Sequence, residues 1–149
     1  MENYYDILKV PQTVGLKAIK QAFKNHLDRN ARNPLAQSQM QNINEAYKHL
    51  SDKEKRKLYD MTLEDAKTKA DADAKAIELD PTDAAAYYNR GIAYKALLKY
   101  DLAISDFSKA IKLDPTDAAA YYNRGIAYEA IGKTKEANAD FKTANKLKK

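Results

Sequence analysis

His26 and Asp28, in the stretch KNHLDRN, are the residues whose types and spacing first suggest chemistry. An imidazole titrates near neutral pH, and a carboxylate two residues on can work with it, so the pair suits proton transfer or a polar docking contact. The bland alternative is a helix C-terminus, where His26 favours the helix dipole and Asp28 begins a loop. Metal binding is poorly served: His49 is far away in sequence, no His-Glu-x-x-His pairing exists and the chain has no cysteine. No glycine-rich phosphate loop, nucleophile elbow or convincing acid/base pair occurs elsewhere, so neither enzyme activity nor a cofactor is expected. Just upstream, Lys17, Lys20 and Lys24 recur at helical spacing. Such a face suits docking to an acidic surface and is also the ordinary solvated side of a helix.

Composition limits what must position these groups. The 149 residues are 44% hydrophobic and 32% charged, with four glycines and four prolines, a balance that fits a helix-rich protein of one medium or two small domains. No stretch resembles a signal peptide and no run approaches the ~20 apolar residues of a membrane span. A soluble cytoplasmic protein with no membrane partner is therefore expected. The net charge of +5 is uneven, since residues 1–60 hold 11 Lys/Arg against 7 Asp/Glu. Nucleic acid is weakly supported: the tyrosines sit at helical spacing and no long basic run exists. An acidic protein surface fits the excess equally well.

The largest organising feature is a repeat. DPTDAAAYYNRGIAY occurs at 80–94 and again, letter for letter, at 114–128, an offset of 34 residues. Each unit reads as two helices. Asp83 can cap the first, on which Tyr87, Gly91 and Tyr94 share a face. The second carries Ala103, Phe107, Ala110 and Ile111, and Asp114-Pro115 ends it. The series Tyr87, Gly91, Tyr94, Ala103, Phe107, Ala110 and Pro115 resembles the tetratricopeptide (TPR) repeat. Tyr121, Gly125, Tyr128, Ala137, Phe141 and Ala144 repeat it. The glycines should let helices approach while the phenylalanines fill the gap between layers. The resemblance implies a groove lined by the first helix of each unit, at Ala85, Tyr88, Asn89, Ile92 and Lys95, then Ala119, Tyr122, Asn123, Ile126 and Glu129. That groove would take a protein or peptide. Ile92 and Ile126 replace the second asparagine of the family's carboxylate clamp, so that clamp is not expected.

Two units are fewer than the roughly three usually needed to bury a continuous core. Residues 62–81 can supply a half-repeat or connecting helix. Thr62 with Asp65 resembles a capping box that starts it. Lys75-Ala76-Ile77 and Leu79 match the end of a second helix, and Asp73 stands where Phe107 and Phe141 stand. The last helix has no solvating helix after it, so an exposed apolar edge leaves self-association open.

The first sixty residues read as four short helices. ENYYDILKV is one. The next carries Leu16, Ile19, Ala22, Phe23 and Leu27 on one face. A third begins at Asn33-Pro34, with Leu35, Met40, Ile43, Tyr47 and Leu50 at helical spacing. SDKEKRKLYD restarts with a Ser51 cap and Glu54 three residues on. Asn3 to Val10, Ala18 to Phe23, Ile43 to Tyr47 with Leu50-Ser51-Asp52, and Lys55-Arg56 with Tyr59-Asp60 resemble, in order, the DnaJ-type J-domain. Lys9 replaces its glycine. The resemblance implies a His-Pro-Asp signature, in the loop after helix two, that stimulates the ATPase of a DnaK-type chaperone, and a basic helix two that docks there.

Counted back from Asn44-Glu45-Ala46-Tyr47, the signature falls on His26-Leu27-Asp28. Counted forward from Ala22-Phe23, it falls on Ala31-Arg32-Asn33. The backward count keeps a His and an Asp but requires a five-residue deletion inside helix two. That removes ~7.5 Å and turns the signature by about 140°. It predicts a helix two that stops near His26 and leaves the polar start of helix three, AQSQMQN, partly uncovered. Leu27 also lacks proline's fixed φ and missing N–H.

The sequence thus predicts an all-α chain: a J-like helical bundle over 1–60, a connecting helix or half-repeat over 61–80, and two helix-turn-helix TPR units over 81–149. The expected role is a co-chaperone-like adaptor with weak or absent ATPase stimulation. The alternative is a non-catalytic scaffold, self-associating and without chaperone contact.

Overall fold

The computed structural model describes residues 3–30 and 37–148. Among them the chain is all α-helical, with no strand. The helices are α1 (Tyr4–Leu8), α2 (Leu16–Asn30), α3 (Gln37–Leu50), α4 (Lys53–Leu79), α5 (Ala84–Ala96), α6 (Tyr100–Leu113), α7 (Ala118–Ala130) and α8 (Thr134–Leu147). The chain divides into two compact units between Thr62 and Leu63.

In the first unit, Asn3 caps α1 by accepting from the backbone N–H groups of Tyr5 and Asp6, and Asp6 reaches back to the Asn3 N–H. Lys9 ends α1 in the left-handed conformation at φ 55°, which costs an L-residue about 1 kcal/mol or more. Helices α1, α2 and α3 pack together around Tyr5, Leu8, Ile19, Ile43, Ala46 and Leu50. Phe23 of α2 stacks on Tyr47 of α3 with ring centroids 4.1 Å apart. The outer ends of the α2 stripe, Leu16 and Leu27, are exposed rather than packed. The first turn of α4 is capped by Asp52, not Ser51: its Oδ1 accepts from the Glu54 and Lys55 N–H groups, both at 3.0 Å. Those bonds hold the Asp52 carboxyl below its ordinary value.

The start of α4 then closes back on α1. Tyr59 stacks on Tyr4 at 4.5 Å, and its hydroxyl accepts from the Tyr4 N–H. Tyr5 donates to Asp60, while Arg56 donates to the Tyr5 oxygen and to the Gln12 carbonyl. Burial first, then the Asp60 hydrogen bond, push the Tyr5 pKa up to about 12. Arg56, Tyr59 and Asp60 of the closing motif are thus the latch of this bundle.

Helix α4 runs unbroken for 27 residues, so no helix starts at Thr62. No glycine or proline interrupts it, and the Thr62 hydroxyl donates to the Leu58 carbonyl four residues back instead of capping a new helix. Ala66 and Ala70 are buried on its later half, and Leu79, at the end of the helix, is 89% exposed.

In the second unit, Asp83 and Asp117 cap α5 and α7 through the backbone N–H groups two and three residues on. Asp80 and Asp114 each accept from the hydroxyl and N–H of the following threonine, which fixes the Asp-Pro-Thr turns. Helix α6 packs against both α5 and α7, and α7 packs against α8. A Cβ added to Gly91 would stand 2.7 Å from the Phe107 ring, and one on Gly125 2.6 Å from Phe141. Only glycine admits a ring so close. No described helix is long and apolar enough to cross a membrane.

Candidate functional site

Each unit presents its own candidate surface. In the first, Lys17, Lys20, Lys24 and Asp28 are exposed and fall on one side of α2. His26 is half-buried and lies on the side of Ile19, Ala22 and Phe23. At ~100° per residue, His26 and Asp28 point about 200° apart. The structure therefore does not bring them together as a pair.

Nor does α2 end at His26. It continues to Asn30, which places the whole His26-Leu27-Asp28 stretch inside a helix rather than in a loop. The cause is local. Leu27 keeps the backbone N–H that proline would remove, so nothing in LDRN breaks the helix. The rival position, Ala31-Arg32-Asn33, the expected Asn33-Pro34 cap and Leu35 lie outside the described residues. On α3, Gln41 and Asn42 are exposed, as the polar run there predicts.

In the second unit, α5 and α7 bring predicted groove residues into one network. Asn123 Nδ2 donates to the Tyr88 hydroxyl at 3.1 Å and to the Ala119 carbonyl at 3.0 Å, while Asn123 Oδ1 accepts from Lys95 Nζ at 2.5 Å. Tyr88 also packs on Phe107, with centroids 5.8 Å apart. Ile92 is half-buried against the cluster of Ala103, Phe107 and Ala127. Burial lowers the Lys95 pKa and raises that of Tyr88, which the nearby Asp117 raises further. Ala85, Asn89, Ala119 and Glu129 are exposed, and Ile126 is half-buried. Tyr122 is 46% exposed, with the Lys148 amine 5.3 Å above its ring.

Sequence reasoning missed the strongest polar contacts. Arg90 forms a two-pronged pair with Asp106 at 2.7 and 2.8 Å, and Arg124 forms the same pair with Asp140. Each guanidinium lies near two tyrosine rings, those of Tyr87 and Tyr94 or of Tyr121 and Tyr128. Arg124 also donates to Ser108 on α6, tying the two repeats together. The signal was available: an Arg and an Asp 16 residues apart occur at the same place in both units. Among the described residues, no group of three or more His, Asp or Glu could hold a metal ion.

Comparison with known proteins agrees with both halves. Residues 3–60 match the DnaJ domain family. Residues 84–117 and 107–137 match tetratricopeptide repeat families. The Chaperone protein DnaJ of Nitratiruptor sp. is 46% identical over 63 residues, covering 39% of this chain and 17% of that protein. DnaJ homolog subfamily B member 11 of Homo sapiens is 44% identical over 63 residues, covering 39% and 18%. The chain thus spans less than a fifth of the length of these relatives. Among solved structures, a crystal structure of MamA is similar over 97% of this chain and 84% of its own, with TM-score 0.56 and 25% identity. A second MamA crystal structure gives TM-score 0.54 and 26% identity, over 97% and 89%.

Proposed function

From a chain that joins a DnaJ domain at residues 3–60 to tetratricopeptide repeats at residues 84–137, we propose a cytoplasmic co-chaperone-like adaptor without enzymatic activity of its own. Its repeat groove holds a protein client or partner, and its DnaJ domain approaches a DnaK-type chaperone through Lys17, Lys20 and Lys24. The observation that carries the reading is the joining of an interaction array to this domain in one chain.

The same domain stimulates the chaperone's ATPase weakly or not at all. His26 and Asp28 lie inside α2 and point to different sides of it. The shortening inferred from the sequence also has support. The DnaJ relative aligns over 63 residues but to 39% of this 149-residue chain, about 58 residues, which fits roughly five gaps on this side. A deletion of about five residues inside α2, which the count back from Asn44-Glu45-Ala46-Tyr47 requires, would draw the signature into the helix.

Single-turnover ATP hydrolysis by a DnaK-type chaperone tests this. The expected rate stays near the unstimulated one and does not change on His26→Gln. Strong stimulation that His26→Gln removes would overturn the weak-signature reading. A second reading, a scaffold that keeps the bundle for packing alone, is favoured by His26 lying on the core side of α2. Under it the chain shows no binding to the chaperone, and self-association appears in size-exclusion chromatography with light scattering.

A further inference from the structure

The groove holds one cation without a carboxylate partner. Lys95 is half-buried, and no Asp or Glu among the described residues pairs with it. Its amine has three N–H groups, and one goes to Asn123 Oδ1, a neutral acceptor. Both N–H donors of Asn123 are spent, on Tyr88 and Ala119, so it holds Lys95 and Tyr88 in place and has no donor left for an anion. The Tyr88 oxygen accepts from Asn123, and no hydrogen bond among the described residues uses its own proton. Two donor groups of one network, the Lys95 amine and the Tyr88 hydroxyl, are therefore left with N–H and O–H bonds unspent between α5 and α7.

We propose that Lys95 and the Tyr88 hydroxyl form a subsite for a single carboxylate side chain of an acidic peptide. The proposal rests on the groove reading above. A half-buried ammonium with only a neutral partner gains from an incoming anion, because charge-assisted hydrogen bonds are the stronger kind. The same position on α7 is Glu129, so the subsite occurs once among the two matched repeats. Glu129, with Asp117 near Tyr88, disfavours a run of acids and selects one acid flanked by neutral or basic residues.

A library of random twelve-residue peptides, screened against the full chain, supplies the probe. Each binder is remade with its Glu or Asp changed to Gln or Asn. The expected result is that binders are rich in single acids and that amidation weakens them about tenfold. Lys95→Arg keeps that discrimination and Lys95→Glu abolishes it. Helical circular dichroism and the Tm of Lys95→Glu are checked against the parent, and Lys95→Gln, which removes the charge without adding an acid, should also lose the discrimination. Binders indifferent to amidation, or discrimination intact in Lys95→Glu, would overturn the subsite while leaving the groove. Absence of any binder would overturn both.

Discussion

Helices α5 and α7 differ at one residue, Lys95 against Glu129, whereas their partners α6 and α8 differ at more than half of their positions. Six positions are shared by α6 and α8: Ala103 and Ala137, Asp106 and Asp140, Phe107 and Phe141, Ala110 and Ala144, Lys112 and Lys146, Leu113 and Leu147. Asp106 and Phe107 meet Arg90 and Gly91 within the repeat, and Ala103 and Phe107 also cluster with Ala127 of the next one. The residues that differ include those meeting the next repeat. Ile104 packs near Ala127 and Ser108 accepts from Arg124. Ile111 is buried. Their counterparts Asn138, Lys142 and Asn145 are all exposed. The face of α6 that receives α7 is thus polar on α8, although Tyr122 and Leu147 are exposed there and Phe141 and Ile126 are half-buried. One sequence pattern serves two contacts, and only the contact within the repeat is kept in both copies.

The largest expected effect comes from breaking that shared contact. Asp106→Ala takes the hydrogen-bonded partner from a guanidinium whose side chain is 20% exposed and leaves it only the longer-range attraction of Asp73. Removing one partner of a buried pair costs ~3–5 kcal/mol, and partial exposure places this case near the lower end, about 3 kcal/mol. Asp140→Ala should cost less, because Arg124 keeps its bond to Ser108. Urea unfolding of both variants reads the difference. An equal loss would mean that Ser108 contributes nothing to the tie between repeats.

Next is the contact of glycine with phenylalanine. An alanine at 91 or 125 needs the ring to move, since its Cβ would lie under 3 Å from ring carbons in either case. Overpacking of this kind costs roughly 1–3 kcal/mol. Phe107 is fully buried beneath α7, whereas Phe141 is only half-buried. Gly91→Ala should therefore be costly and Gly125→Ala milder, because Phe141 has room to swing outward. Thermal unfolding of the two variants measures the gap, and the reverse order would contradict the burial argument.

Legibility in the sequence followed the same division. Exact repetition over 80–94 and 114–128 exposed α5, α7 and the Asp83 cap, while the tetratricopeptide resemblance supplied the second helices and the roles of the glycines and phenylalanines between layers. The Arg–Asp pairs also occur twice but join two helices, and hydrophobic periodicity has no term for a buried polar pair. In the first unit, residue order located the helices but not the end of α2, which depends on whether anything breaks it. The continuity of α4 was hidden for a related reason: Thr62 has the side chain of a cap, yet a hydroxyl can equally bond the carbonyl four residues back. Leu16, Leu27 and Leu79 fit apolar stripes that extend past the packed surface.

The smallest effect tests the turn inside each repeat. Leu98 and Gly132 occupy equivalent positions and share the left-handed conformation, at φ 58° and 79°. Gly132 has open space where its side chain would be, so only backbone conformation opposes a substitution there. Gly132→Leu should cost about 1 kcal/mol, a fall in Tm of ~4–8 °C for a unit of this size. The converse Leu98→Gly relieves the same backbone cost but frees the unfolded chain by roughly 0.5–1 kcal/mol and gives up the contacts of a half-buried leucine. These terms oppose one another, so Leu98→Gly should leave Tm within about 2 °C of the parent. If it instead raised Tm by as much as Gly132→Leu lowers it, the Leu98 side chain would contribute nothing to packing. The two turns would then differ only in backbone strain, and the first repeat would be the one carrying it.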